Sequence, residues 1–184
     1  MHLIRSIFLL IMFFPAAAFA DDKFITKAAV VDVESILEHS IAIAQIKKSI
    51  TIISDRIQEE LSVKESDLKI IEADLIQKRG VSSEEEFNNM VADFNRKVSA
   101  TQQEMQYKKS ALEQAHSAAL AEVYQNTTEV ISELSKKYGL NIVLPSAQVL
   151  FVENDLNITL EVITSLNERL KTVEVKYNAE SYQQ

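Results

Sequence analysis

From Ile41 to Tyr138 the chain contains one glycine and no proline, and apolar residues return every three or four positions. The single interruption is Lys78-Arg79-Gly80-Val81-Ser82-Ser83. A stretch so free of helix breakers predicts two long helices folded back on each other, with the turn near 79–83. On the first, Ile46, Ile50, Ile53, Ile57, Leu61, Leu68, Ile71 and Leu75 form one apolar stripe, interrupted at Lys64. The second carries a heptad seam through Phe87, Val91, Phe94, Val98, Thr101, Met105, Lys108, Leu112, Ala115 and Ala119. Four-three steps of this kind favour left-handed supercoiling. Thr101 and Lys108 are polar on that seam; such residues usually cost stability while fixing register, and the alternative here is that, with Lys64, they leave the middle of the hairpin loosely packed. An isoleucine-rich seam has modest intrinsic helicity, so each helix must take much of its stability from the other.

The turn has its own chemistry. Gly80 suits a left-handed residue closing the first helix. Ser83 with Glu86 forms a capping box, and Glu84-Glu85-Glu86 complements the positive end of the second helix. That acidic run reads as capping rather than as an ion site. Gly139 after Lys136-Lys137 supplies the second stop.

At the start, Met1 to Arg5 is a short basic segment, Ile7 to Phe14 an unbroken apolar run, and Ala18-Phe19-Ala20 a small-residue cleavage motif. This is the layout of a signal peptide cut after Ala20, and the apolar run is shorter than the ~20 residues of a spanning helix. Of the 19 Lys and Arg only Arg5 leaves with residues 1–20, whereas all 27 Asp and Glu remain, so the net charge of the remainder is 18 minus 27, or −9. An acidic chain of this kind argues against nucleic acid as a partner and against electrostatic attraction to anionic lipid. The absence of cysteine removes disulfides, zinc-thiolate sites and thiol catalysis.

The remaining segments flank the hairpin. Lys27 to Val33 reads as a buried strand. Leu140 to Leu144 and Gln148 to Val152 read as two strands of a β-hairpin, and Leu156 to Lys171 as an amphipathic helix. Thr172 to Gln184 is polar and expected to fray. The fold class is therefore α+β, mostly α: a helical hairpin (41–138) on a small body made from 27–40 and 139–172. A three-stranded sheet with one helix is a thin core, so self-association through the body is expected.

The order of these parts resembles the OmpH-like (Skp) family of periplasmic chaperones over about Lys27 to Lys171. The likeness rests on Ala28-Ala29-Val30-Val31-Asp32-Val33, on Tyr138-Gly139-Leu140-Asn141-Ile142-Val143-Leu144, on Val149-Leu150-Phe151-Val152, and on Asn157-Ile158-Thr159 with Val162, Ile163 and Leu166. It implies a homotrimer whose hairpins enclose a cavity, and a holdase that keeps unfolded outer-membrane proteins soluble without ATP. Two departures stand out: Asn157 takes the place of the usual Asp, and the net charge is acidic where familiar members are basic.

No catalytic constellation is visible, and His39 and His116 read as surface or packing residues rather than ligands. No cofactor is called for. The body residues expected to hold an assembly together are Val31, Val33, Ile142, Leu144, Val149 and Phe151. Client-binding candidates lie beside the seam: Ile52, Val63, Ile70 and Ile76 on the first helix, and Met90, Tyr107, Ala111 and Ala118 on the second. A competing reading is a coiled-coil adaptor of the cell envelope that docks through its hairpin tip.

Overall fold

The computed structural model describes residues 26–179; the signal-peptide reading of residues 1–20 lies outside them. In chain order the elements are β1 (Ala28–Val31), α1 (Val33–Glu38), α2 (Ile41–Lys78), α3 (Glu84–Tyr138), β2 (Ile142–Pro145) and α4 (Thr159–Arg169). Helices α2 and α3 pack against each other as the predicted hairpin. At about 1.5 Å per residue, the 38 residues of α2 reach roughly 57 Å and the 55 of α3 roughly 82 Å. The surplus length of α3 is its C-terminal end, which becomes the floor of the body.

The caps are those the sequence encodes. The Ser83 hydroxyl accepts from Glu86 N while the Glu86 carboxylate accepts from Ser83 N, a complete capping box. Gly139 is left-handed (φ 65°), and Leu140 N and Gly139 N donate to the carbonyls of Ser135 and Lys136, closing α3 as a Schellman motif. Gly80 is left-handed as well (φ 82°) and turns the chain at the hairpin tip.

The body departs from expectation in its strands. β2 pairs parallel to β1, with Ala28 opposite Ile142 and Val31 opposite Pro145. The predicted β-hairpin does not form. A 3₁₀ turn at Ser146–Gln148 leads into 149–152, which has no ladder partner among the described residues. The expected three-stranded sheet is therefore two-stranded, although the other side of β1 is touched once, at the bridge between Val30 and Asn157, where Ile158 N donates to Val30 O at 3.0 Å. β1 also ends two residues early. Asp32 leaves the strand to cap α1, its carboxylate accepting from Ser35 N at 3.0 Å, so Val33 opens a helix instead.

Two parallel strands cannot be joined by a tight turn. The long helical hairpin is the crossover between them. Its two ends are fixed by side chains of high sequence separation. Asn141 Oδ1 accepts from Lys27 N (2.9 Å), and Thr159 Oγ1 accepts from Asp32 N (2.9 Å) while donating to Asn157 Oδ1 (2.6 Å). Asn167 spans the α1–α2 junction: its Oδ1 accepts from Ile41 N (2.8 Å) and its Nδ2 donates to His39 O (3.0 Å).

The core gathers Ile36, Ala42, Ile43 and Ile46 from α1 and α2, Ala119, Val123, Val130 and Leu134 from α3, and Val162 and Leu166 from α4. Leu166 is fully buried, so Leu166→Ala would cost about 2–5 kcal/mol. The core also includes Val173, with Val175 packed against it. Residues 172–179 therefore lie on the protein instead of fraying.

Asn167→Ala should lower the urea midpoint by the equivalent of about 0.5–1.5 kcal/mol, because it exchanges two bonds at the root of α2 for bonds to water. A change of that size, with helical content kept at zero denaturant, checks the clamp.

Candidate functional site

The candidate surface is the flank of the hairpin. Along the seam only Ile57, Leu75, Met105 and Ala115 are buried outside the body, among the described residues. Phe87, Val91, Phe94 and Val98 are half-buried. Two helices cannot enclose each other's apolar faces, so much of the stripe stays within reach of a third chain.

The polar seam residues resolve into a register lock. Lys108 pairs with Glu60 and, at 3.0 Å, with Glu104, and Lys64 pairs with Glu104 at 2.6 Å. Each helix contributes a Glu and, four residues on, a Lys. Antiparallel packing sets each Glu against the other helix's Lys. The Lys108 side chain is 15 % exposed and that of Glu104 24 %, so these charges are held in partial shelter. The bonds to Lys64 and Lys108 hold the Glu104 carboxyl below its usual range, against the opposing pull of burial. The bond to Glu60 raises Lys108. A one-turn slip of either helix would break both cross-helix pairs. Glu60 and Glu104 are visible in the sequence, but their pairing requires the register. Beside this ring a cleft of about 560 Å³ opens between Leu68, Ile71, Lys97 and Thr101, so the middle is also loosely packed.

The candidates on α2 are exposed. Ile52, Val63, Ile70 and Ile76 are 52, 58, 66 and 70 % accessible. Ile52, Val63 and Ile70 stand eleven and seven positions apart, close to three and two whole turns at ~3.6 residues per turn. They therefore make one line along the helix, roughly 140° around from seam residue Ile57. Ile76 is off that line. On α3, Met90 is half-buried near the tip, and Ala118 is exposed. Tyr107 and Ala111 are half-buried beside residues 172–179, which sequence reasoning left out of the site.

The body candidates divide. Val31 is buried and Leu144 and Val149 half-buried, but Val33 (37 %), Ile142 (42 %) and Phe151 (81 %) are exposed, as is Leu150. Phe151 and Leu150 are thus not part of the chain's own core. α4 is tied to α3 by Arg169, which bridges Glu129 and Glu133.

Such an arrangement, a long helical hairpin inserted as the crossover of a small parallel strand pair, defines a class of α+β proteins with a helical arm on a small strand-bearing body. Residues 27–166 match the family described as outer membrane protein (OmpH-like), and the chain belongs to that family. Among solved structures it is similar to a candidate outer membrane chaperone (OmpH-like) from Caulobacter crescentus. The TM-score is 0.78 at 18 % identity, over 86 % of this chain and 94 % of that one. No curated protein matches. Among the described residues no helix is long and apolar enough to cross a membrane.

Glu104→Gln should destabilise the hairpin by about 1 kcal/mol at neutral pH, since the ring is partly solvated. Because the native carboxyl titrates below its unfolded counterpart, the advantage of the parent over Glu104→Gln is complete above the ordinary carboxylate range. It shrinks as pH falls through that range and is gone below the lowered native value. Paired urea melts between neutral and strongly acidic pH measure this; a difference that does not change with pH would sink the assignment.

Proposed function

We propose that this chain is an ATP-independent periplasmic holdase that keeps unfolded outer-membrane proteins from aggregating, with the hairpin flanks as its binding surface. The observation that carries the reading is the exposed line Ile52–Val63–Ile70, on the side of α2 turned away from its partly buried seam. An apolar line set among charged neighbours offers a long, unspecific surface without a pocket. Unfolded outer-membrane strands alternate apolar and polar side chains and cannot cover their lipid-facing side in water. Membership of the OmpH-like family supports the same reading. The acidic excess would keep a loaded complex soluble.

The protomer is proposed to assemble as a trimer through its body. β2 has β1 on one edge only, and next to it in sequence Leu150 and Phe151 are among the most exposed large apolar residues described. An open edge with apolar side chains beside it is a surface that native proteins normally cover. Phe151→Asp should leave the protomer folded, since the side chain is exposed there, while reducing the mass seen by light scattering to that of one chain. An unchanged mass would remove Phe151 from the interface.

The holdase reading is tested by diluting a urea-unfolded outer-membrane barrel protein into residues 21–184 without ATP and following turbidity. Suppression is expected, and Ile52→Ser, Val63→Ser and Ile70→Ser together should weaken it at least tenfold with little change in melting temperature. Unchanged aggregation in the presence of the folded parent would favour tip docking at Arg79–Ser83, where Val81 is 83 % exposed.

A further inference from the structure

The segment after α4 has a pattern that the hairpin does not. Val173-Glu174-Val175-Lys176-Tyr177-Asn178-Ala179 alternates apolar with polar at every step. Its exposure follows the sequence: Val173 is buried, Val175, Tyr177 and Ala179 are half-buried, and Glu174, Lys176 and Asn178 are exposed. The segment therefore lies with one side on the protein and one in water, as a strand does on a sheet. Val175 packs against the body core, and Tyr177 lies near Tyr107 of α3 and the Lys108–Glu60 pair. On the polar side of the segment, Lys176 and Asn178 border an open cleft of about 290 Å³ whose other wall is Tyr107, Ala111 and Ala118 of α3. Those three α3 residues are candidates for holding a client.

The attachment is of a particular kind. A helix has satisfied its own backbone groups and offers no ladder to a strand laid across it. The segment closes a backbone bond on itself instead, Tyr177 N to Val175 O at 2.9 Å, a γ-turn-like kink. Beyond Val173 it is held by alternate side chains. The fit is also imperfect: the Tyr177 hydroxyl is enclosed with no hydrogen-bond partner, near Lys108 and Glu60 of the ion ring. Burying an unpaired hydroxyl costs on the order of 1–3 kcal/mol. The segment also lies beyond the family match, which ends at Leu166.

We propose that residues 173–179 occupy in cis the α3 flank that takes an extended, alternately apolar and polar stretch of an unfolded outer-membrane protein, so that the chain carries its own displaceable occupant. This rests on the holdase reading and adds to it the form of the bound ligand and a competitor built into the chain. In the empty arm the segment would hold the edge of this flank, and a client strand would take its place. A tethered occupant competes at a fixed local concentration, so it lowers apparent client affinity by the factor by which docking is favoured.

The test compares the full chain with its double variant Val175→Ser and Tyr177→Ser, and with Tyr177→Ser alone should the double variant lose helix content. The first readout is the affinity for a urea-unfolded barrel protein. The second is competition by a free peptide of residues 171–179, against a control peptide of the same composition with its apolar residues grouped. The variants should bind the barrel protein about tenfold more tightly, and only the alternating peptide should displace it. Equal or weaker binding by a folded variant would overturn the proposal, because the segment is then a brace or part of the client wall; client binding by the parent would leave the holdase reading standing. If neither parent nor variant binds the barrel protein, the holdase reading fails and the proposal falls with it.

Discussion

The parallel pairing of β1 with β2 is the constraint on which the architecture depends. A parallel pair requires a crossover, and here the crossover is the long helical hairpin. The strand ends therefore fix where the arm leaves the body, while Asn141, Thr159 and Asn167 fix its direction. Asn167 binds the first residue of α2, Asn141 ties the chain just past α3 to the start of β1, and Thr159 ties α4 to Asp32, the cap of α1. Covering the inner ends of both helices with α4 gives the arm a rigid root and leaves its outer part thinly packed.

That thinness is compatible with order because register is held by charge. The Glu60–Lys108 and Lys64–Glu104 pairs sit where a longer apolar seam would close the cleft. Ion pairs in partial shelter add little net stability but oppose slippage strongly, since a slip separates both pairs at once. The arm can thus expose apolar surface along its length without sliding to bury it.

Much of this was legible in the sequence, and the failures have physical causes. Helix ends were readable because Gly80, Ser83 with Glu86, and Gly139 have local roles that do not depend on the rest of the fold. The parallel order was not, because a hydrophobic run such as Val149 to Val152 looks the same whether it pairs within a protomer or stays uncovered there. Val33 was misplaced because the cap of Asp32 outweighed the β propensity of its neighbour. The ion ring needed the register between two helices, which no local pattern gives. The docked segment 172–179 did leave a signal: its period of two was present under a polar composition that suggested fraying.

Residues that hold the body together are far apart along the chain; Lys27 and Asn141 are separated by 114 positions. Contacts of that separation form late, because the loop must be closed before they contribute. The helical hairpin, whose two halves are joined by a short turn, has no such delay. A chain folding from its N-terminus would therefore acquire its arm before its body, and β1 would remain an unpaired strand until β2 had been delivered. The order of events leaves the apolar arm as the first folded part and the cohesive base as the last.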